Sequence, residues 1–156
     1  MRRDSCPSLH STTVRASSAS AAWSQTVKIG LIAPFSGPFA VWGTQFKQSV
    51  EAFQKIHGNT AKGTKIEVIY RDNAGDPTRT RQLAEEMVLR EKVSFLTGFS
   101  LTPEALAVAE LITEAKIPAV IMNSGTAIIT RQSPYFVRTS FTVNMFTVPI
   151  PPWMEK

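Results

Sequence analysis

With 156 residues the chain is long enough to bury the core of one domain, and its 43% hydrophobic and 19% charged residues are ordinary for a globular protein. Of the net charge of +5, three arginines and one aspartate among the first 26 residues account for +2, and the other charges alternate in sign along predicted helix faces, which argues against a nucleic-acid-binding stripe. The single cysteine, Cys6, excludes an internal disulfide, and with only His10 and His57 beside it the chain offers no thiolate or histidine metal site.

Residues 1–26 are rich in serine, alanine, threonine and arginine, and they contain no apolar run long enough for the core of a signal peptide. Residues 19–23 nevertheless have the small-residue pattern found at the end of an export signal. The segment 1–26 is therefore either a disordered tail or a defective export signal, and the sequence leaves both interpretations open. No segment approaches the roughly 20 apolar residues of a membrane span, so none is predicted.

The first half of the chain predicts a strand, a helix and a second strand. The strand covers residues 27–33, and the helix begins near Pro38 or Phe39. The helix ends at residues 57–59, where His, Gly and Asn are typical of a helix C-terminus. The second strand covers residues 65–71. The expected buried residues are Phe46, Val50, Phe53 and Ile56 on the helix and Ile66, Val68 and Tyr70 on the strand.

The second half continues the alternation of helices and strands. Asp76 is the expected N-cap of a second helix with Pro77 in its first position, and a third helix is expected over residues 103–115. The expected strands are 93–97, 118–122 and 135–139, and the expected buried helix residues are Leu83, Ala84, Met87, Val88, Leu106, Ala109 and Ile112. This alternation predicts an α/β fold, a parallel sheet flanked by helices on both faces.

Parallel pairing brings the ends of the first, third and fourth strands to the same edge of the sheet. The loops that follow them, residues 35–43, 98–103 and 123–130, are rich in small and hydroxyl residues. Small residues let a ligand approach the backbone, and hydroxyl and N–H groups favour an anion such as a carboxylate. Taken singly these are ordinary turn and cap residues, but three such loops at one edge predict a binding edge.

The residues do not predict an enzyme. The adjacent carboxylates Glu85 and Glu86 fit a solvated helix face, and Asp72 and Asp76 fit a loop. Neither histidine lies near a serine or cysteine in a nucleophile motif. No GxGxxG or phosphate loop follows the first strand, which counts against a flavodoxin-like enzyme domain. We therefore expect no catalytic residue, no metal and no cofactor.

Residues 27–53 resemble the opening of the type I periplasmic binding proteins, specifically the substrate-binding family of branched-chain amino acid ABC transporters. Similar motifs follow in the family's order: Gly98-Phe99-Ser100-Leu101-Thr102, Ile117-Pro118-Ala119-Val120, Asn123-Ser124-Gly125-Thr126 and Tyr135-Phe136-Val137-Arg138-Thr139. The resemblance implies a partial N-terminal ligand-binding lobe over residues 27–141, followed by 142–156 as the irregular C-terminal end of a truncated chain.

The resemblance also implies ligand-binding residues. Thr102 best matches the hydroxyl residue that binds the ligand's α-carboxylate in this family, and Ser100 belongs to the same segment. Thr126 matches the threonine that holds the carboxylate and ammonium, with Ser124 and Gly125 contributing backbone groups. The ligand implied is therefore an amino acid or a related small carboxylate.

Further features of the sequence bear on the wall of the pocket and on the identity of the ligand. Trp42 falls where the family commonly places an aromatic that walls the pocket, and the alternative is a core aromatic in the first helical turn. Asn123 stands where serine is commoner, and the loop before Thr130 is one residue shorter than in amino-acid binders, so the identity of the ligand stays open.

The function implied by the resemblance is that of a periplasmic substrate-binding component of an ABC transporter for branched-chain or other amino acids. A full-length member would dock on ABC permease subunits. The alternatives are a ligand-sensing regulatory domain on the same scaffold and a non-functional fragment. A single lobe leaves half of a ligand in water, so weak binding is expected from this chain alone. No nucleic-acid partner is expected, and no membrane span is predicted.

Overall fold

A computed structural model describes residues 26–148, 150 and 154 of the chain. The two interpretations of the tail 1–26 concern residues that lie, apart from Thr26, outside the described residues. The strands of the described part are β1 (Thr26–Ala33), β2 (Thr60–Ala61), β3 (Thr64–Asp72), β4 (Phe95–Gly98), β5 (Ala119–Ile121) and β6 (Phe136–Arg138). The helices are α1 (Ala40–His57), α2 (Pro77–Leu89), α3 (Thr102–Ala107), α4 (Ala109–Ala115) and α5 (Val143–Thr147), with a 3₁₀ turn at Ile129–Arg131.

The strands form one sheet in the order β2-β3-β1-β4-β5-β6. All neighbours pair in parallel except β2 and β3, which form an antiparallel hairpin. The predicted parallel sheet with flanking helices is therefore confirmed. The short strand β2 was not predicted. It is joined to β3 by Lys62 and Gly63, both of which have positive φ, as a two-residue hairpin turn requires.

The core lies on both faces of the sheet, and the central strand β1 contributes side chains to each. Leu31 and Ala33 face α1 and pack with Phe46. Ile32 faces the opposite side and belongs to a larger cluster under α2, α3 and α4, which includes Met87. Burial on both faces explains the continuous apolar run of β1.

Only the first half of α1 is buried as predicted. Phe46 is buried, whereas the side chains of Phe53 and Ile56 are 62% and 76% exposed. A groove lined by Val50 and Phe53 on the helix and by Ile29, Ile66 and Val68 on the sheet separates the second half of α1 from the strands. The prediction that Phe53 and Ile56 are buried was therefore wrong.

The predicted helix 103–115 is two helices, α3 and α4, which meet at Val108. Leu106 was expected in the core but is 40% exposed. Ala109 and Ile112 are buried as predicted, and Ala105 and Val108 are buried with them. Asp76 is confirmed as the N-cap of α2, since its carboxylate accepts hydrogen bonds from the N–H groups of Thr78 and Arg79.

The described part of residues 142–156 is less irregular than expected, since it forms the short helix α5. The N–H of Val143 donates to the carbonyl of Gly125 at 2.9 Å, which attaches this segment to the loop after β5. Among the residues that the structure describes, no helix is both long enough and apolar enough to cross a membrane.

Candidate functional site

The carboxyl ends of β1, β4 and β5 meet at one edge of the sheet, as predicted. Gly98 at the end of β4 lies in register with Ile32 of β1 on one side and with Ile121 of β5 on the other. The loops that follow these strands therefore leave the sheet side by side. This edge is where ligands bind in open α/β sheets.

The loop after β4 is held close to β1 by an unusual backbone path. Gly98 has φ +112°, and a Cβ at this position would overlap the carbonyl oxygen of Ile32. Phe99 follows with φ +56° and a fully buried side chain, and its N–H donates to the Ile32 carbonyl at 3.1 Å. A non-glycine residue in the left-handed region is held there by its surroundings and often lies at a functional site.

Side-chain hydrogen bonds join the loop after β4 to the loop after β5. The amide of Asn123 donates to the Ser100 carbonyl at 3.0 Å, and the hydroxyl of Ser124 donates to the Phe99 carbonyl at 2.8 Å. The two loops therefore form one rigid platform. Asn123, the departure noted in the sequence, is one of the residues that hold it together.

The hydroxyl oxygens of Thr102 and Thr126 lie 2.7 Å apart on this platform, within hydrogen-bonding distance of each other. Both residues are partly buried. A hydroxyl has one proton and two lone pairs, so one threonine donates to the other and the second proton is left for an external acceptor. A ligand carboxylate is an acceptor of the required kind.

The other predicted site residues lie at different depths. Ser100 and Ser124 are 2% and 3% exposed, beneath the surface of the platform. The hydroxyl of Ser100 has no hydrogen-bond partner among the described residues. The carbonyl of Gly125 accepts from Val143, and Trp42 is half-buried in the first turn of α1. No hydrogen bond between described side chains connects Trp42 to the two threonines.

Asp72 fixes the loop after β1, a role that the sequence analysis missed. Its carboxylate accepts from the N–H of Phe35 at 2.8 Å, the hydroxyl of Ser36 at 2.6 Å and the N–H of Ala74 at 2.9 Å. Burial raises the pKa of Asp72, but these hydrogen bonds outweigh it and leave the pKa below its ordinary value. Asp72 ends β3, which pairs with β1, and Ser36 lies in the loop after β1. An aspartate at the end of a strand that neighbours β1 is the signal that could have predicted this contact.

Glu104 is a second residue that the sequence analysis missed. It is fully buried, and its Oε2 accepts from the N–H of Leu101 at 3.2 Å. Burial raises its pKa, and hydrogen bonds from Leu101, Ser100 and Asn73 offset only part of this effect. A glutamate three positions after the N-cap residue, here Leu101, is the pattern that could have predicted this hydrogen bond.

The Glu104→Gln variant is expected to be more stable than the unchanged chain at pH 7.5 and to lose this advantage toward pH 4. The raised pKa means that the folded protein holds a proton that the unfolded chain releases. The contribution of Glu104 to stability is therefore complete below its ordinary pKa of 4.5 and is lost as the pH rises through the folded value.

Urea unfolding at both pH values measures this difference. The control is Glu114→Gln, which changes an exposed glutamate on α4 and should change stability by no more than about 0.5 kcal/mol. A Glu104→Gln variant that is less stable than the unchanged chain at pH 7.5 would contradict the expectation.

Arg138 also contacts the platform. It is the last residue of β6, and its Nη1 donates to the carbonyl oxygen of Thr126 at 2.9 Å. Among the described residues, no three His, Cys, Asp or Glu side chains are grouped so that they could hold a metal ion. The site is thus a set of hydroxyl and N–H donors at one edge of the sheet, which suits an anion.

Two concave regions of the described chain lie away from the platform. One is the groove beneath the second half of α1, whose lining is mainly apolar and includes the amide side chains of Gln54 and Asn59. Another lies on the outer surface of α2, at Gln82, Glu85 and Leu89. Arg90 and Glu86 complete the lining of the second region. We place the candidate site at the platform, an open surface in this chain, because ligands of open α/β sheets bind at the carboxyl ends of the strands.

The family model for periplasmic binding proteins matches residues 26–156. The Leu/Ile/Val-binding protein homolog 6 of Brucella abortus (strain 2308) is 45% identical over 133 residues, which are 85% of this chain and 34% of that protein. The chain thus spans about a third of the length of the curated relatives that it matches.

Two solved structures are similar to this chain, at sequence identities close to that of the Brucella relative. A solute-binding protein of an ABC transporter from Rhodopseudomonas palustris BisB5, in complex with 3,4-dihydroxybenzoic acid, has a TM-score of 0.74 and 49% identity over 75% of this chain and 32% of that chain. A solute-binding protein from R. palustris, in complex with 4-hydroxybenzoate, has a TM-score of 0.80 and 42% identity over 84% of this chain and 36% of that chain. The chain therefore belongs to the type I periplasmic binding proteins of the branched-chain amino acid ABC-transporter family, a family of non-enzymatic solute-binding proteins.

Proposed function

We propose that this chain carries part of the ligand site of a transporter solute-binding protein and that its ligand is a small aromatic carboxylate of the hydroxybenzoate class. The observation that carries the proposal is the pair of hydroxyl groups on Thr102 and Thr126, 2.7 Å apart at the carboxyl edge of the sheet. The two similar solute-binding proteins whose bound ligands are hydroxybenzoates support the choice of ligand class.

The other candidate ligand is a branched-chain amino acid, as the name of the Brucella relative suggests. Both ligand classes have a carboxylate, but an amino acid also needs an acceptor for its ammonium group. Of the acidic side chains found at this edge among residues 26–148, Asp72 accepts three hydrogen bonds within the protein and Glu104 is fully buried. Among the described residues this edge therefore offers donors for a carboxylate and no free side-chain carboxylate for an ammonium. The choice of the aromatic acid rests on the two similar proteins with bound hydroxybenzoates.

Each predicted site residue has a role in this proposal. The hydroxyl groups of Thr102 and Thr126 bind the ligand carboxylate, and Ser124 and Gly125 present backbone groups beside it. Ser100 supports the platform from below. Trp42 packs against the ring of the ligand. Such an aromatic pair contributes about 0.5–1.5 kcal/mol to binding beyond the buried area. In a protein of the relatives' length, the remaining residues would supply the other half of the site.

By the same reasoning we propose a periplasmic location and docking on ABC permease subunits for such a longer protein. The carboxyl edge that carries the platform would then face the second lobe, and closure of the two lobes around the ligand would provide the signal that the permease reads. These proposals rest on membership of the family.

Removing either threonine hydroxyl is expected to weaken binding of 4-hydroxybenzoate by about tenfold or more, because a hydrogen bond to a charged group contributes about 1.5–3 kcal/mol. The variants are Thr102→Val and Thr126→Val, which keep the shape of the side chain. Binding is measured by ligand-detected NMR titration of the full 156-residue chain, a method that reaches the millimolar affinities of half a site.

Two controls make the titration specific. Thr64→Val replaces a threonine at the start of β3, at the opposite edge of the sheet, and should leave the affinity unchanged. The unchanged chain should bind 4-hydroxybenzoate more tightly than leucine and should not bind 4-methylphenol, which lacks the carboxylate. Tighter binding of leucine, or equal binding of 4-methylphenol, would contradict the proposed ligand class.

A further inference from the structure

The guanidinium group of Arg138 lies next to the proposed carboxylate site. Arg138 is in register with Ile121 of β5, so it leaves the sheet at the same edge as the loop that carries Thr126. Its Nη1 donates to the carbonyl oxygen of Thr126 at 2.9 Å. That oxygen belongs to the residue that also carries one hydroxyl of the threonine pair, so the guanidinium group contacts one of the two residues of the proposed site.

This positive charge has no acidic partner in the described part of the chain. The ion pairs found there within 4.0 Å use Lys47, Arg71 and Arg81 as the cations. Arg138 is half-buried, and only one of its five N–H donors is engaged by a described hydrogen bond. A half-buried guanidinium group without a carboxylate partner attracts an external carboxylate, because the planar N–H groups match its geometry.

We propose that Arg138 supplies the positive charge that makes this site selective for a carboxylate over a neutral group of the same shape, an inference that rests on the proposed function. The two threonine hydroxyls are neutral and could bind an amide oxygen almost as well as a carboxylate oxygen. Arg138 holds the Thr126 carbonyl with one N–H and directs its charge toward the ligand. It is thus both a positioning and a specificity-determining residue.

The test compares two ligands of nearly the same shape. 4-Hydroxybenzoate has a carboxylate, and 4-hydroxybenzamide has a neutral amide in its place. The unchanged chain is expected to prefer the benzoate. In Arg138→Gln, whose side-chain amide can still donate to the Thr126 carbonyl, this preference should fall by about tenfold, because a hydrogen bond to a charged group is worth more than one between neutral groups.

A matched control removes the same charge elsewhere. Arg131→Gln changes an exposed arginine at the end of the 3₁₀ turn and should leave the benzoate preference unchanged. In Arg138→Lys the charge is kept, so most of the preference should remain. Amide NMR spectra of all three variants report whether the fold is kept, and Arg138→Lys provides the comparison if Arg138→Gln is poorly folded.

The outcomes separate the inference from the proposed function. If the unchanged chain binds neither ligand, the proposed function fails and the inference fails with it. If the unchanged chain prefers 4-hydroxybenzoate and Arg138→Gln keeps that preference, Arg138 does not set specificity although the site is real. If Arg138→Gln weakens both ligands equally, Arg138 only positions Thr126. The inference is supported when the preference falls in Arg138→Gln and is kept in Arg131→Gln and Arg138→Lys.

Discussion

Replacing Gly98 with alanine is expected to destabilise the fold by more than about 3 kcal/mol, because two unfavourable effects act at one position. The backbone φ of +112° is rarely adopted by residues with a side chain, and the added Cβ would overlap the Ile32 carbonyl oxygen in the neighbouring strand. The overlap is with backbone atoms of the central strand, so no side chain can move to relieve it. Chemical denaturation followed by circular dichroism measures the loss.

Gly58→Ala separates the two effects. Gly58 also has a positive φ, +77°, but a Cβ there would meet no atom within 4 Å. This variant should lose only the conformational part, about 1–2 kcal/mol. Equal losses in Gly58→Ala and Gly98→Ala would show that the close approach of the loop to β1 does not contribute to stability.

The Phe99→Ala variant is expected to lose about 3–5 kcal/mol, the usual cost of removing a large buried aromatic side chain. Phe99 is fully buried in the larger core cluster, and its carbonyl accepts the hydroxyl of Ser124. A cavity beneath the platform should therefore also loosen the loops that carry Thr102 and Thr126. We expect the affinity for 4-hydroxybenzoate to fall in this variant even under conditions in which it is fully folded.

Phe53→Ala is the matched control, since the same substitution is made on a side chain that is 62% exposed. It should change stability by no more than about 1 kcal/mol, because Phe53 is mostly exposed and only part of its ring lies against the groove beneath α1. Urea unfolding of the two variants under one set of conditions gives the comparison. A loss below about 1 kcal/mol in Phe99→Ala would contradict its place in the core.

The sequence predicted the parallel sheet because its signals are local. The apolar run of β1 and the Asp76–Pro77 helix start each depend on residues close together in the chain, and the structure has both where they were expected. The exposure of Phe53 and Ile56 was not predictable in the same way. Helical spacing shows that apolar residues share a face, but how far the sheet extends beneath that face depends on residues distant in sequence.

The site was predictable only in part, for the same reason. The loops after β4 and β5 were expected at one edge, but the contact between Thr102 and Thr126 joins residues that are 24 positions apart. The sequence places Arg138 in a strand motif, and nothing among its sequence neighbours indicates that its side chain contacts the Thr126 carbonyl. Glu104 was overlooked because a glutamate after a proline usually lies on a solvated helix turn, and its burial follows from packing of distant elements.

The most direct test of this account is a map of amide chemical-shift changes when ¹⁵N-labelled chain is titrated with 4-hydroxybenzoate. We predict that the largest changes fall on the loops after β4 and β5, around Thr102 and Thr126, with smaller changes near Arg138 and Trp42. Changes centred on the groove of Ile29, Phe53 and Ile66, with the threonine loops unaffected, would contradict the placement of the site at the carboxyl edge of the sheet.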